Sequence, residues 1–435
     1  MSLSLRHLSY SLLATSALLT SSLAGDSIVS IPETSVIPDA DPISPYSLAG
    51  LGLVSPNASP FLRDTRLFLK GRLRYEYGDL EGREDSYALT WRHRAGIETG
   101  EWLGFTFLAE VEHTWDLLGE DQYNPFPRPG RTVIADPGNI ELNRLQLQYQ
   151  TDLWNTTIIA GRQEVDLGDQ RFVGSVAWRQ NEQTFDAIRL QTSPIQDLIL
   201  DYTYLSRVNR IFGEQSPSAA LNHFESDSHL INLRYTGLEQ GTLTAFAYLL
   251  DLEEAPTLSS QTYGIRFNGT MPVNESASFI YDLQWATQQD YDANAADYSA
   301  QYYRVEGGMD WNKSIQIGIG YEVLGEDDGV AFQTPLGTNH KFNGFADAFL
   351  ATPATGLQDV YAWVGGVLPG GFKTRLTYHH FLTDTHRHKL GDELDLTIGR
   401  KLSDHASALL KAAHLRGNGA QPDISRVSIE LDYSF

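Results

Sequence analysis

The amino-acid sequence predicts an all-β fold: a transmembrane antiparallel β-barrel of about 18 strands, with short periplasmic turns and long extracellular loops. Three observations predict it. Apolar and polar residues alternate from Arg66 onward, short and long connections alternate between the alternating segments, and the N-terminus has the form of a secretory signal. The length of 435 residues fits one large barrel as well as several soluble domains. The three patterns therefore distinguish between these two possibilities.

The N-terminal segment "MSLSLRHLSYSLLATSALLTSSLAGDS" has the regions of a signal peptide in their usual order. A weakly basic start precedes an apolar run at residues 8–19, and "SLA", ending at Ala24, forms a small-x-small cleavage site. The apolar run is too short to cross a bilayer as a helix, so we predict a signal peptide at residues 1–24. Residues 25–62, rich in Pro, Ser and Asp, are predicted to form a periplasmic tail, and residues 63–435 the barrel.

The strands are predicted from period-two alternation, because successive side chains of a strand point to opposite faces. In "RLFLKGRLRYEY", Leu67, Leu69 and Leu73 share one face, whereas Arg72 and Arg74 share the other. Segments of this kind recur, each near the roughly ten residues that a tilted strand needs to cross a bilayer. Their centres are Arg72, Arg92, Ala109, Leu145, Ile159, Ile188, Tyr202, Leu233, Phe246, Ile265, Tyr281, Val305, Ile319, Trp363, Leu376, Leu396, Leu410 and Ile429. The segments at Phe246, Trp363 and Leu410 alternate least well.

The connections favour a membrane barrel over a soluble sandwich. Short links fall at 100–104, 151–155, 192–197, 236–241, 312–314, 368–371 and 401–405. Between them lie long stretches at 116–140, 164–184, 208–228, 287–299 and 325–358. An even strand number puts both termini in the periplasm, so the long loops are extracellular. The chain ends in "VSIELDYSF", which looks like the C-terminal signal recognised by the barrel assembly machinery. We therefore predict a bacterial outer-membrane protein surrounded by lipid and lipopolysaccharide.

Composition excludes several other classes of protein. A net charge of -23 argues against binding nucleic acid, and the absence of cysteine excludes disulfide frameworks, thiolate metal sites and cysteine nucleophiles. His379 and His380 point to opposite faces of a strand, so they form no catalytic constellation. His386 and His388 lack the further ligands of a structural metal site. We expect neither enzymatic activity nor a metal or cofactor.

The polar faces of the predicted strands carry much of the arginine. The basic residues on these faces are Lys70, Arg72, Arg74, Arg92, Arg94, Arg144, Arg162, Arg189, Arg234, Arg266, Arg304, Lys373 and Arg375. Carboxylates share the same faces, so an ion pair across strands is the structural interpretation of any single arginine. As a set, guanidinium groups that grip carboxylates favour anionic solutes.

The stretch "GRQEVDLGDQRFVGSVAWRQ", residues 161–180, predicts a loop that folds into the barrel and narrows the pore. Gly168 and Gly174 permit tight backbone turns. Arg171 and Arg179, with their acidic neighbours, would then reach the lumen, where irregular backbone is shielded from lipid.

Extended to "GRQEVDLGDQRFVGSVAWRQNEQTFDAIRL", this stretch resembles the alginate export family of outer-membrane porins, as do "RLFLKGRLRYEY", "RHRAGIETG" and "HKFNGFADAFLATPATGLQDVY". The likeness runs from about residue 65 to the C-terminus. It implies an 18-stranded barrel whose arginine-rich lumen passes uronate polymers or smaller anions. The resemblance also suggests a monomer, whereas general diffusion porins are often trimers. By this resemblance Arg74, Arg94, Arg162, Arg171 and Arg179 lie near a constriction, where Asp166, Asp169, Glu182 and Asp186 hold them.

The predicted function is an outer-membrane channel for diffusion or export of an anionic polysaccharide such as alginate, or of small anionic solutes. The predicted pore-lining residues are Lys70, Arg72, Arg74, Arg92, Arg94, Arg144, Arg162, Arg171, Arg179, Arg189, Asp166, Asp169, Glu182 and Asp186. Directional transport would need periplasmic export partners or a gradient, because a single barrel carries no energy source. The alternative is a non-conducting barrel that acts as an adhesin or surface-binding scaffold, with residues 325–358 as its contact loop.

Overall fold

The computed structural model describes residues 47–55, 57–119, 121–312 and 314–435. The predicted signal peptide and residues 25–46 of the predicted tail lie outside the described residues. Within the described ranges, no helix is long and apolar enough to cross a membrane.

Eighteen antiparallel strands form one closed sheet, in which each strand pairs with its neighbours along the chain and the last pairs with the first. The barrel strands are β1 (Arg66–Leu80), β2 (Ser86–Glu98), β3 (Phe105–Asp116), β4 (Asn139–Thr151), β5 (Thr156–Gln163), β6 (Thr184–Ile195), β7 (Leu198–Asn209), β8 (His223–Leu238), β9 (Gly241–Leu250), β10 (Ser260–Asn274), β11 (Ala277–Asp290), β12 (Ser299–Trp311), β13 (Ile315–Leu324), β16 (Leu357–Leu368), β17 (Phe372–Leu382), β18 (Lys389–Lys401), β19 (Ala406–Gly417) and β20 (Ile424–Ser434). A two-residue pair, β14 (Glu326–Asp327) and β15 (Val330–Ala331), belongs to the loop after β13. The short helices are α1 (Pro60–Arg63) and α2 (Ala219–Asn222), with 3-10 turns at Leu153–Asn155, Pro256–Leu258 and Asn339–Lys341.

The fold confirms the predicted architecture. All eighteen predicted centres lie inside barrel strands, including the three that alternate poorly. Short turns and longer loops alternate, so the two ends of the barrel differ as the connection lengths predict. The strand termini meet where Lys70 of β1 pairs with Ser434 of β20, which closes the sheet and leaves no open edge.

The outer surface of the barrel is apolar. Ile315, Ile317 and Ile319 on β13 are all exposed, while the alternate position Gln316 is buried toward the lumen. Trp102 and Trp154 lie exposed at the short turns, where an interfacial aromatic girdle is expected. This apolar exterior is the surface that lipid covers.

Part of the lumen is filled by an apolar core. Two loops, residues 164–183 and residues 325–356, contribute Phe172, Phe332 and Leu336 to a cluster that includes lumen-facing side chains of the wall from β6 round to β20. The ring of Phe172 lies 5.0 to 6.1 Å from the rings of Phe246, Tyr248, Tyr302 and Phe332. These contacts anchor both loops inside the barrel.

Candidate functional site

The same two loops pack inside the lumen, and we name them the constriction segment (residues 164–183) and the cap segment (residues 325–356). Their backbones join directly: Gly174 N donates to Leu336 O at 2.9 Å, and Thr338 N donates to Gln170 O at 2.9 Å. Gly174 is needed at this contact, because a Cβ there would lie 2.4 Å from the Thr338 hydroxyl. The loop therefore folds inward, as the sequence indicates.

Arginines of β1 hold the backbone of the constriction segment. Arg72 Nη1 and Arg74 Nη1 donate to the carbonyl oxygen of Trp178 at 3.0 and 2.6 Å. Arg72 Nε also donates to Asp432 Oδ1 at 2.9 Å, and Arg74 Nη2 lies 2.7 Å from a Glu76 oxygen. Both guanidinium groups are consequently engaged by the protein itself. Lys70, on the same face, lies opposite Arg94 in the register of β1 and β2 and is only half-buried.

Arg94 of β2 and Arg144 of β4 are both paired with carboxylates. Arg94 pairs with Glu112 of β3 and, at 2.9 Å, with Glu182 of the constriction segment. Arg144 binds both oxygens of Glu110 at 3.0 and 2.8 Å, so it forms a bidentate pair.

Arg92 is the exception on this wall. It reaches only the carbonyl oxygens of Arg179 and Gln180, at 3.5 Å, and no carboxylate among the described residues lies within 4 Å of it. Arg92 is therefore tied to the constriction segment by two long hydrogen bonds alone.

The constriction segment carries its own charges into this network. Arg171 donates to Glu322 Oε1 at 2.7 Å and to Asn343 Oδ1 at 3.0 Å. Arg179 bridges Glu76 of β1, at 3.1 Å, and Asp347 of the cap segment, at 3.2 Å. Both arginines thus connect the two segments to the wall.

Two aspartates of the constriction segment have contrasting surroundings. Asp169 pairs with Arg304 and lies 3.5 Å from Arg266, and these arginines hold the pKa of its carboxyl below the ordinary value. Asp166 instead accepts hydrogen bonds from the backbone N and hydroxyl of Ser175, at 2.6 and 3.2 Å. Burial raises the pKa of Asp166 to about 6.

Arg162 and Asp186 correct the prediction, because they lie on the outer face of the wall. Arg162 faces Leu145 in the register of β4 and β5 and shares its side with the exposed Ile158. It pairs with Asp186 at 2.7 Å beside the extracellular loops. At this end of β5 the predicted alternation of lumenal and outer residues is shifted by one residue from the observed one. Gly161, next to Arg162, has a left-handed φ of 115°. Arg189 keeps its lumenal place and pairs with Asp201.

The sequence did not single out Trp178, His340 or Asp347. The rings of Trp178 and His340 stack at 3.4 Å, and Arg179 Cζ lies 3.9 Å from the centre of the Trp178 ring. Asp347 binds His340 Nδ1 at 2.6 Å. Loop residues follow no period, so alternation could not have found them.

One group of carboxylates has the spacing of a metal site. Oxygens of Glu110, Glu164 and Glu182 approach within 4.8 Å of one another. Each of these carboxylates already has a cationic partner in the protein, because Arg94 pairs with Glu182 and Arg144 pairs with Glu110 and Glu164. We assign no metal to this group.

In this structure the constriction is a network of ion pairs closed by buried side chains. The exposed fraction is 2 % for Arg72 and 1 % for Arg74, so neither reaches a solute without movement of the constriction segment. The arrangement can release arginines for carboxylate binding only when protein partners are exchanged for water or solute.

A sequence model described as alginate export matches residues 131–362, more than half of the chain. The motifs around the constriction and cap segments lie in that range, whereas "RLFLKGRLRYEY" and "RHRAGIETG" precede it. No curated protein matches the chain.

Solved structures of outer-membrane channels share the fold. OccAB4 of Acinetobacter baumannii superposes with a TM-score of 0.67 at 14% identity, covering 85% of this chain and 98% of its own. OpdQ of Pseudomonas aeruginosa gives 0.66 at 16% identity, with 87% and 99% covered. The outer membrane protein OprD of Pseudomonas aeruginosa gives 0.63 at 16% identity, with 87% and 96% covered. At these identities the similarity shows the architecture.

Proposed function

The chain belongs to the alginate export family, and on this premise we propose that it is an outer-membrane channel for anionic saccharides or smaller organic anions. Uronate polymers of the alginate type are the larger candidate, and short oligouronates are the smaller. Either would pass along the β1–β3 side of the constriction, where residues 178–182 meet the wall through polar and charged contacts.

One observation carries this proposal: the constriction segment meets β1–β3 through hydrogen bonds and ion pairs. We name this contact the ionic seam; it joins residues 178–182 to the wall through Arg72, Arg74 and Arg94. Water and solute carboxylates can replace such partners, because the groups stay satisfied when one oxygen substitutes for another. Guanidinium groups freed at the seam would grip carboxylates bidentately.

The scaffold remains the second candidate, and the apolar core favours it. Phe172, Phe332 and Leu336 fill the other side of the lumen with packing that excludes water. If the ionic seam also stays closed, the lumen is sealed, and only the extracellular loops are exposed for binding.

Planar-bilayer conductance tests the proposal. The purified protein should carry an anion-selective current, measured by the reversal potential in a salt gradient, and oligouronates should block it. Current without block would restrict the solutes to smaller anions. Absence of current from a correctly folded barrel would contradict the channel and leave the scaffold.

A pair of matched variants connects the current to the ionic seam. Arg179→Gln removes pairs to Glu76 and Asp347, so we expect a larger current and weaker anion selectivity. Arg189→Gln removes a pair to Asp201 that lies outside the seam, so the current should not change. Equal effects of the two variants would show that the seam does not control the opening.

A further inference from the structure

Two aromatic side chains, Tyr361 and Trp363, lie against the lumenal wall in the middle part of β16. Three glycines make room for them: a Cβ at Gly318 would lie 2.4 Å from the Trp363 ring, and one at Gly320 would lie 2.1 Å from the Tyr361 ring. At Gly308 the corresponding distance to Trp363 is 3.1 Å. Wall and rings therefore fit only while these positions lack side chains.

Glu306 of β12 fixes the polar ends of both rings. Tyr361 OH donates to Glu306 Oε2 at 2.6 Å, and Trp363 Nε1 donates to Glu306 Oε1 at 3.2 Å. Each carboxylate oxygen thus has a donor from the aromatic pair. The Trp363 plane is held rigidly as a consequence.

Arg375 lies over this plane without an acidic partner. Its Cζ is 4.4 Å from the centre of the Trp363 ring, and its Nε donates to the Thr377 hydroxyl at 3.4 Å. Its direct cross-strand neighbours are Gly365 and Thr397, neither of which is charged. Across the described part of the chain, no carboxylate forms an ion pair with Arg375.

The contact with Thr377 uses Nε of Arg375. The two terminal nitrogens, Nη1 and Nη2, can therefore donate to a solute while the guanidinium stays stacked on the ring. They have the fork geometry that matches a carboxylate. Lys373, two residues earlier on the same face, lies opposite Val367 and Gly399 and likewise has no ion pair within the described ranges. Both side chains are only half-buried. In contrast, Arg72 and Arg74 are almost fully buried and paired.

We propose that Arg375 and Lys373 form a capture site for the carboxylate of a uronate-type sugar that enters the barrel from the periplasm. Arg375 is the fourth residue of β17, which begins at the periplasmic end, so a solute meets it before the constriction. Stacking on Trp363 pre-organises the guanidinium, which reduces the entropy lost on binding. The solute class rests on the proposed channel function, but the anion site stands on its own geometry.

The capture site is tested by adding oligouronate to one side of the bilayer and measuring how strongly it blocks the current. Oligouronates added to the periplasmic side should block Arg375→Gln about tenfold more weakly than the unsubstituted protein, a difference of about 1.4 kcal/mol, because the variant loses a charged hydrogen-bonded pair. Chloride conductance should stay within about twofold. Lys373→Gln should weaken the block in the same direction but less, because it removes charge without the fork.

Arg234→Gln is the matched control. Arg234 is a half-buried arginine on the lumenal side of β8, and no ion pair to it exists within the described ranges. The control should leave the block unchanged. Equal weakening by both variants, or undiminished block in Arg375→Gln, would overturn the site. Methyl esters of the same oligouronates should fail to block, and a block by the esters would exclude carboxylate recognition.

A binding assay separates failure of the site from failure of the channel. If the protein carries no current, the channel proposal fails, yet calorimetric titration of the detergent-solubilised barrel with oligouronate still tests the site. Binding that Arg375→Gln weakens would support the capture site by itself. Binding that is insensitive to this variant, or absent from the original protein, would overturn it.

Discussion

The two sides of the constriction segment are attached to the barrel wall by different kinds of interaction. On one side Phe172 packs among four aromatic rings in a core that excludes water. On the other side residues 178–182 meet the wall through the arginines of the ionic seam. Apolar packing loses free energy in proportion to the surface that becomes exposed, whereas a polar contact is recovered when water or a solute supplies the partner. The difference predicts that the segment opens at the seam and stays attached at the core.

Cross-linking gives the largest expected effect. Gln180 Nε2 donates to the Thr90 hydroxyl at 2.8 Å across the seam, and the chain has no cysteine. A reducible bifunctional thiol reagent joining Thr90→Cys to Gln180→Cys should abolish the current in a planar bilayer, and reduction should restore it. The physical reason is that the link prevents the seam from parting.

The control for this experiment lies on the anchored side. Gln333 N donates to Gln288 Oε1 at 2.9 Å, which ties the cap segment to β11. Linking Gln288→Cys to Gln333→Cys should leave the current unchanged. If this link abolishes the current and the seam link does not, the roles of the two sides are reversed.

Removing the apolar anchor should cost stability. Phe172→Ala deletes a nearly buried ring, so we expect the free energy of unfolding in urea and detergent to fall by about 3–5 kcal/mol. The loss should be the same at low and high salt, because no charge is involved. Leu350→Ala, at an exposed position of the cap segment, should change little. A loss from Phe172→Ala that varies strongly with salt would contradict apolar anchoring.

Acid should loosen the cap segment by a smaller amount. Burial and the neighbouring Lys411 lower the pKa of His340 to about 3, although Asp347 opposes this shift and Arg179 adds to it. A released imidazole takes up its proton near pH 6.5, so docking of His340 is favoured above that pH and is lost progressively as the pH falls toward 3. At pH 5 the docked state should be weakened by about 2 kcal/mol.

The open fraction of the channel between pH 7 and pH 5 measures this effect. It should rise on acidification in the original protein. His340→Phe keeps a ring against Trp178 but has no proton to bind, so its open fraction should be constant over this range. A pH response of equal size in the variant would assign the titration to another group.

Much of the barrel was predictable because its signal is local. Alternation placed Arg72, Arg74 and Arg94 on the lumenal side, and a residue's face in a strand depends only on its immediate neighbours. The prediction failed for Arg162 and Asp186, which lie where β5 ends and β6 begins. Strand ends mix regular and irregular backbone, so the parity of alternation is easily misread there.

The interaction partner of each arginine was not predictable from alternation. Arg72 is bound by Asp432, which is 360 residues away along the chain. Arg179 meets Asp347 of another loop, whereas Arg375 has an aromatic ring beneath it and no acid. Alternation gave Arg72 and Arg375 the same polar face, and the inward loop placed Arg179 in the lumen, but neither pattern records which acid each arginine meets.

The sequence by itself determined the membrane barrel, its strand number and the inward loop, because hydrophobic alternation and glycine placement act over a few residues. Only the tertiary structure decided which arginines are neutralised, where the apolar core fills the lumen, and which basic side chains have no ion pair among the described residues. Those outcomes depend on closure of the sheet and on loops that meet across the lumen. Ion pairing falls off within a few ångströms, so it is set by three-dimensional distance that a linear pattern does not record.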